Sequence, residues 1–423
     1  MPLTRKAVAF LALAYLFIGL SLGFREPAFT AFVIPLALVF FYSSIFTHSE
    51  RSDLKIKRWI YPPRSFGGQS IDVTVEVLNA SRSVIADIYI EDQMPESILL
   101  EAGTNSLTMS LRPGEVFEHS YRISAPKRGR YLLGPIKVRS GDVMGFREYS
   151  QTIQAVDQVT ILPKVEELGT VELKARSVGP WPGSVPSRNL GAGTEFFELR
   201  LYTPGDELRR INWKASAKQG RLVTNEFESE RVTDVLVVID CSEAALSRLF
   251  EFDAAEFQVT LAASLCSQLI LQGNRVGLLA YGAERTWLAP AFGKRQLLRL
   301  LNGLAIVKAG RATVPIGYAV ETIVAAVLPA RSVIVFVSPI MGDEILDVIT
   351  NVASAGYSVI CFTPKADSFV KKESEARLLA RKILAAERRI NMEQITSVAK
   401  LFEISPQTSI KFLLRRRTPW KLV

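Results

Sequence analysis

Three groups of side chains in this 423-residue chain have the types and spacing for chemistry. The first is a carboxylate set, Glu195, Glu198 and Asp206, which could supply an acid/base pair of the kind hydrolases use. Arg200 and Arg209 lie among them, and cations so near lower carboxylate pKa values, the wrong direction for a general acid. The second is an oxygen-rich run, Asp240-Cys241-Ser242-Glu243, directly after the apolar run Val235–Asp240. Carboxylate and hydroxyl oxygens suit Mg²⁺. The third is Arg209, Trp213 and Lys214, a cation–aromatic cluster suited to stacking and to partner binding. No GxxxxGK[ST], HExxH or nucleophile elbow occurs. The two histidines, His48 and His119, are far apart, which argues against a Cys/His zinc site. The chain therefore reads as non-enzymatic, without a nucleotide site of its own.

The elements that must position these residues follow from periodicity. Gly191–Glu230 is densely charged and carries a turn signal, Tyr202-Thr203-Pro204-Gly205-Asp206. It runs straight into Val235–Asp240, an apolar run that reads as a strand buried on both faces. Helical periodicity over Asp253–Gln272, Lys294–Leu304, Pro315–Leu328 and Asp343–Ala355 then alternates with apolar runs at Arg275–Tyr281, Ser332–Val337 and Ser358–Thr363. Strand–helix repetition predicts a mostly parallel, Rossmann-type sheet covered by helices. Ligands of such sheets sit at the carboxyl ends of the strands, which is where Asp240 falls.

The regions before the charged stretch are of two kinds. Ala7–Phe24 and Pro27–Phe46 carry no charge, and Arg25-Glu26 alone separates them. The first would span about 27 Å as a helix. Residues 1–50 thus read as a transmembrane hairpin, with Pro35 a candidate kink. Both flanks are basic (Arg5, Lys6; Arg51, Lys55, Lys57, Arg58), so the rest of the chain is expected on the cytoplasmic side of a cell membrane. Residues 51–165 alternate with period two, as in Ile71–Val77, Ile85–Ile90 and Phe117–Ile123, between Gly- and Pro-rich turns. This pattern predicts an all-β, Ig-like sandwich serving as a spacer and interaction module. Residues 166–232 hold a connector with Gly179-Pro180-Trp181-Pro182-Gly183, followed by the charged stretch. The three cysteines, Cys241, Cys266 and Cys361, lie in apolar segments and read as reduced core residues. Nearly all of the net charge of +9 sits in residues 366–423, where Lys371–Val423 hold 13 Lys/Arg and 5 Asp/Glu. This basic helical tail, ending in Arg415-Arg416-Arg417 with Trp420 and Lys421, could meet anionic lipid; no RNP, zinc-finger or helix-turn-helix pattern points to nucleic acid.

One stretch carries a resemblance. Glu195-Phe196, Leu199-Arg200, Tyr202, Pro204-Gly205-Asp206, Arg209, Ile211-Asn212-Trp213-Lys214, Ser216-Ala217 and Glu226–Glu230 resemble the signature of the DUF58 family, with Lys218 standing where that family usually has Arg. The resemblance implies a von Willebrand factor A-like (vWA-like) α/β domain over 233–365 and a MoxR-type AAA+ ATPase as partner. It also implies that Glu195, Arg200, Tyr202, Pro204, Gly205, Asp206, Arg209, Trp213, Lys214, Ser216 and Glu228 brace the signature or present a partner surface. Burial is the expected role of Trp213, and Arg200 and Asp206 are expected to pair across the Pro204-Gly205 turn. vWA-like domains hold Mg²⁺ through Asp-x-Ser-x-Ser, a Thr from a later loop and a later Asp. Here Asp240, Ser242 and Thr313 fit, Ala244 replaces the second Ser, and Ser338 stands near the expected Asp. The degenerate set implies a scaffold working without a cofactor, with Mg²⁺ at these three residues the alternative. The fold expected is multidomain, and the function expected is a membrane-anchored adaptor for protein–protein interaction. The alternatives are anionic-lipid or nucleic-acid binding by the tail, or hydrolysis by the signature carboxylates.

Overall fold

The structure, a computed structural model, describes residues 4–46, 53–82, 84–141, 146, 148–168, 195–228, 233–246, 253–312, 314–329, 332–365 and 375–404. Thr313, the Gly179–Gly183 connector and the Arg415–Lys421 cluster lie outside these. The chain divides into two compact units, the first running to Lys164 and the second making up most of the remainder.

The first unit opens with helix α1 (Arg5–Phe24), capped by the Thr4 hydroxyl, which accepts from the Ala7 N–H at 3.3 Å. It is long and apolar enough to cross a membrane and leaves Tyr15, Leu22 and Phe24 exposed. The second apolar run is divided at Phe32 into α2 (Ala28–Ala31) and α3 (Val33–Phe46). The break falls a turn before Pro35, because a proline ring meets the carbonyl four residues upstream and offers it no N–H.

Among the described residues the strands that follow are β1 (Leu54–Tyr61), β2 (Arg64–Phe66), β3 (Ile71–Asn79), β4 (Ile85–Asp92), β5 (Leu99–Ala102), β6 (Ser106–Leu111), β7 (Val116–Ser124), β8 (Gly129–Leu133), β9 (Ile136–Gly141), β10 (Glu148–Ile153) and β11 (Asp157–Leu162). They form sheets ordered β1-β3-β7-β5, β10-β9-β4-β6 and β2-β11-β8. Alternation sets the core: Ile71, Val73, Val75 and Val77 of β3 point inward with Ile88, Ile90, Ile136 and Val138. Each such burial is worth about 1.5–3 kcal/mol. Into this core is set one buried charge network. Arg58 grips Asp92 with two hydrogen bonds, of 2.8 and 2.5 Å, and also donates to Asp157 and to the carbonyls of Leu133 and Ala155. The Tyr121 hydroxyl donates to the same Asp92 carboxylate at 2.7 Å.

In the second unit, β12 (Glu195–Leu201) pairs antiparallel with β13 (Val223–Glu228), and helix α4 (Trp213–Gln219) lies in the excursion between them. The α/β part runs β14 (Asp234–Asp240), α5 (Glu243–Leu246), α6 (Asp253–Leu271), β15 (Arg275–Tyr281), β16 (Thr286–Ala291), α7 (Gly293–Ala305), α8 (Ile316–Val327), β17 (Val333–Val337), α9 (Asp343–Ser354), β18 (Ser358–Pro364), α10 (Glu375–Val398) and β19 (Lys400–Ile404). One six-stranded sheet has the order β16-β15-β14-β17-β18-β19, parallel except for β16. From β14 the chain builds outward on one side, then returns to build outward on the other, so the order reverses between β14 and β17. The residues of β14, β17 and β18 are almost wholly buried, as continuous apolar runs require. Most of α6 is also long and apolar enough to cross a membrane, yet it is largely buried and packs against this sheet. All three cysteines are free and buried, and burial pushes the Cys266 thiol up to about 12. The sheet does not stop at Lys365. Part of the basic tail becomes α10 and the parallel strand β19, extending the domain to Ile404.

Candidate functional site

The signature folds into a braced excursion. Thr203-Pro204-Gly205-Asp206 is a tight turn closed by Asp206 N–H donating to Thr203 O at 3.0 Å. Proline supplies the second position, and Gly205, at φ 111°, supplies the third, where a side chain would be strained. Arg200 clamps Asp206 across this turn with two hydrogen bonds of 2.9 and 2.7 Å, and the Thr203 N–H donates to the same carboxylate. The Arg200 hydrogen bond and the Thr203 N–H hold the Asp206 carboxyl below the usual carboxylate range. A carboxylate so stabilised is a poor general acid.

A second brace, which sequence reasoning passed over, is Asn212. Its side-chain oxygen accepts from the Ala215 N–H at 3.0 Å and caps α4, while its amide donates to Asn225 on β13 at 2.9 Å. Ser216, buried, donates to Asn212 O at 2.8 Å and accepts from Val223 N–H at 2.9 Å. The Tyr202 N–H donates to Leu222 O at 2.8 Å. Glu195 and Glu228 stand opposite one another in the β12–β13 register; their side chains lie outside the described set.

With bracing done by these residues, Trp213 is left outside. It is 67% exposed, and so is its neighbour Leu208 at 68%. The expectation that Trp213 is buried is therefore corrected: the inward positions of α4 go to Ala215 and Ser216, which the hydrogen bonds to Asn212 draw in. Arg209 is also exposed and pairs with Glu207 at 2.6 Å; Lys214 is exposed.

The carboxyl ends of β14 and β17 hold the second group. Asp240 is buried; one oxygen accepts from the Ser242 N–H at 3.0 Å and the other from the Ser338 hydroxyl at 3.2 Å. The Ser242 hydroxyl accepts from Ala245 N–H at 3.3 Å, starting α5. Burial raises the Asp240 carboxyl, with a smaller contribution from Glu344, which caps α8 by accepting from Ile316 N–H at 2.8 Å. Burial, Glu344 and Asp240 together push the Tyr281 hydroxyl up to about 12. The loop bearing Gly310 crosses here: Glu243 N–H donates to Gly310 O at 2.9 Å, and a Cβ at Gly310 would sit 2.7 Å from that of Ala283. Among the described residues no three His, Cys, Asp or Glu side chains converge at metal-binding distance. Asp240 and Ser242 have their oxygens engaged by protein donors, the pattern of a cap; Mg²⁺ would have to displace these contacts.

One residue joined to these strand ends went unread in the sequence. Arg388, buried on α10, donates to Pro339 O (3.0 Å), Thr363 Oγ1 (2.9 Å) and Pro364 O (2.6 Å). It ties the loop after Ser338 to the end of β18. Part of the tail thereby secures these strand ends, through partners 24 to 49 residues away, which no local pattern reveals.

Comparison with known proteins finds a family to which part of the chain is similar. Residues 198–365 match the family described as "Protein of unknown function DUF58". The chain is 25% identical over 272 residues to the uncharacterized protein YeaD of Bacillus subtilis, covering 58% of this chain and 64% of that protein. It is 28% identical over 116 residues to the uncharacterized protein Rv1480 of Mycobacterium tuberculosis, covering 27% of this chain and 37% of that protein. The chain thus spans less than two thirds of either relative. Among solved structures, BatB from Bacteroides thetaiotaomicron aligns with 43% of this chain and 95% of its own at 13% identity and TM-score 0.27. The CARDB domain of the PF1109 protein from Pyrococcus furiosus aligns with 26% and 92% at 16% identity and TM-score 0.19. Likeness at this level defines neither fold nor function.

Proposed function

We propose that this protein is a membrane-anchored, non-catalytic adaptor that binds partner proteins through the signature excursion of its α/β domain. The observation that carries this reading is the exposure of Trp213 and Leu208 on a segment whose geometry is fixed by other residues. A tryptophan and an arginine left in water on an ordered platform are the composition of a binding hot spot. A MoxR-type AAA+ ATPase is the proposed partner, as the family resemblance implies. The α/β domain is proposed to be vWA-like: counted from β14, its strands run 3-2-1-4-5-6, and Asp240 lies where the order reverses. The β-rich unit is proposed to be an Ig-like spacer, and α1 with α2–α3 a hairpin anchor whose basic flanks place the remainder in the cytoplasm. The adaptor works without a cofactor.

The test is site-specific crosslinking. A photoreactive phenylalanine analogue in place of Trp213, activated in the protein's own membranes, should capture a AAA+ ATPase; the same analogue at exposed Tyr318 should not. Capture of no protein at position 213 would overturn the docking reading. Hydrolysis is separated by Asp206→Asn: an enzyme loses turnover while still binding its partner, whereas the adaptor loses order in the turn and partner together.

A further inference from the structure

We infer that the exposed face of the signature excursion docks an acidic, leucine-bearing segment of its protein partner; this names the chemistry of the binding function proposed above and rests on it. Between Leu208 and Leu222 the chain has five Lys/Arg and no Asp/Glu. Glu207 occupies two of these cations, pairing with Arg209 at 2.6 Å and Arg210 at 3.3 Å. The other three, Lys214, Lys218 and Arg221, are exposed, and among the described residues no carboxylate lies within ion-pair distance of them.

The placement is ordered as well as charged. On α4, Trp213 and Ala217 form one outward row and Lys214 and Lys218 the next, each pair one helical turn apart, while Ser216 faces inward. Leu208, Arg221 and Leu222 are exposed at the two ends. The segment thus exposes three large apolar side chains, Leu208, Trp213 and Leu222, among charges that from 208 to 222 are all positive. Carboxylates repeating at i and i+4 on a partner helix would match Lys214 and Lys218, with leucines between them to cover Trp213. A like-charged partner is repelled and a neutral one leaves the cations unused, so charge selects the partner. The clamp at Asp206 and the cap at Asn212 fix the face before binding, which favours a shaped protein segment over a fluid lipid surface.

The experiment uses the full chain in nanodiscs of neutral lipid. Trp213 emission is taken as the difference between wild type and Trp213→Phe. Two helical peptides of equal length are titrated in: one of Glu and Leu at i, i+4 spacing, and its Lys/Leu counterpart. The Glu/Leu peptide should shift the Trp213 emission and the Lys/Leu peptide should not. Reversal of three charges, Lys214→Glu with Lys218→Glu and Arg221→Glu, should weaken the Glu/Leu peptide on the order of 100-fold and admit the Lys/Leu peptide instead. Equal binding of the Glu/Leu peptide by both chains overturns the inference. So does a Trp213 shift seen with phosphatidylglycerol nanodiscs and with neither peptide, which would assign the face to lipid. If crosslinking at position 213 still captures a partner that the charge-reversed chain also binds, the adaptor function stands and the acidic segment falls. If no partner is captured at all, both fall.

Discussion

Two of the arginine–aspartate pairs among the described residues, Arg58–Asp92 and Arg200–Asp206, do opposite work. Arg58 and Asp92 meet inside the β-rich unit with side chains 0% and 3% exposed; Arg200 and Asp206 meet across a surface turn at 29% and 16%. Burial pushes the Asp92 carboxyl up against the pull of Arg58, while the hydrogen bond from Arg200 draws the Asp206 carboxyl down. The buried clamp is costly to form and worse to break, since without Arg58 the Asp92 carboxylate would be an uncompensated charge in the core. The surface clamp is cheap and weak, and its effect is order: it fixes the turn between Arg200 and Asp206. The same pair of residue types thus closes a buried network in one region and, in the function proposed, orders a display turn in the other.

That contrast can be broken first at its strong end. Arg58→Ala should destabilise the β-rich unit by about 3–5 kcal/mol, read by denaturant unfolding, with the α/β domain retained. A loss as small as that of a surface substitution would show that the network is not truly buried. Next is the cap of the excursion: Asn212→Ala should cost the segment about 1 kcal/mol, seen as faster amide exchange over 213–219. The acid response follows from the shifts. Asp206 has its folded pKa below its unfolded value, so its contribution is present above 3.8 and is lost as pH falls through the lower folded value. Asp92 has its folded pKa raised, so its penalty is present at neutral pH and fades as pH falls toward 3.8. On acidification Asp92 should therefore protonate first, above 3.8, relieving its penalty, and Asp206 only below 3.8, loosening the signature turn; carboxyl NMR showing the two aspartates titrating in the opposite order would contradict this. The smallest expected effects on folding are at the display residues. Trp213→Ala should change stability by no more than about 0.5 kcal/mol, and millimolar Mg²⁺ should leave Tm unmoved if Asp240 is a cap; a Tm rising with Mg²⁺ would restore the ion-site reading.

What the sequence made legible divides along the same line. Arg200 and Asp206 are six residues apart, and a Pro-Gly turn between them leaves little choice of partner. Arg58 on β1 and Asp92 on β4 belong to different sheets and meet across 34 residues, and nothing local marks them. The strands β14, β15, β17 and β18 were legible because each is a continuous apolar run, whereas β16, an antiparallel edge, and β19, a short strand inside a basic tail, lack that signal. Asp240 was legible as a strand-end carboxylate, but its partner Ser338 is 98 residues on and Arg388, tied to the next loop, is further still. Trp213 was misread because aromatic side chains are mostly buried, and that tendency gives no weight to a neighbour such as Ser216 already filling the inward position.

The most direct measurement is purification of the full-length protein from its own membranes in mild detergent, beside Arg209→Ala with Trp213→Ala, with equal folding of the two confirmed by circular dichroism. The account predicts that a AAA+ ATPase accompanies the wild type and is absent from the folded double variant. An ATPase retained equally by both would contradict the claim that the signature excursion is the docking face.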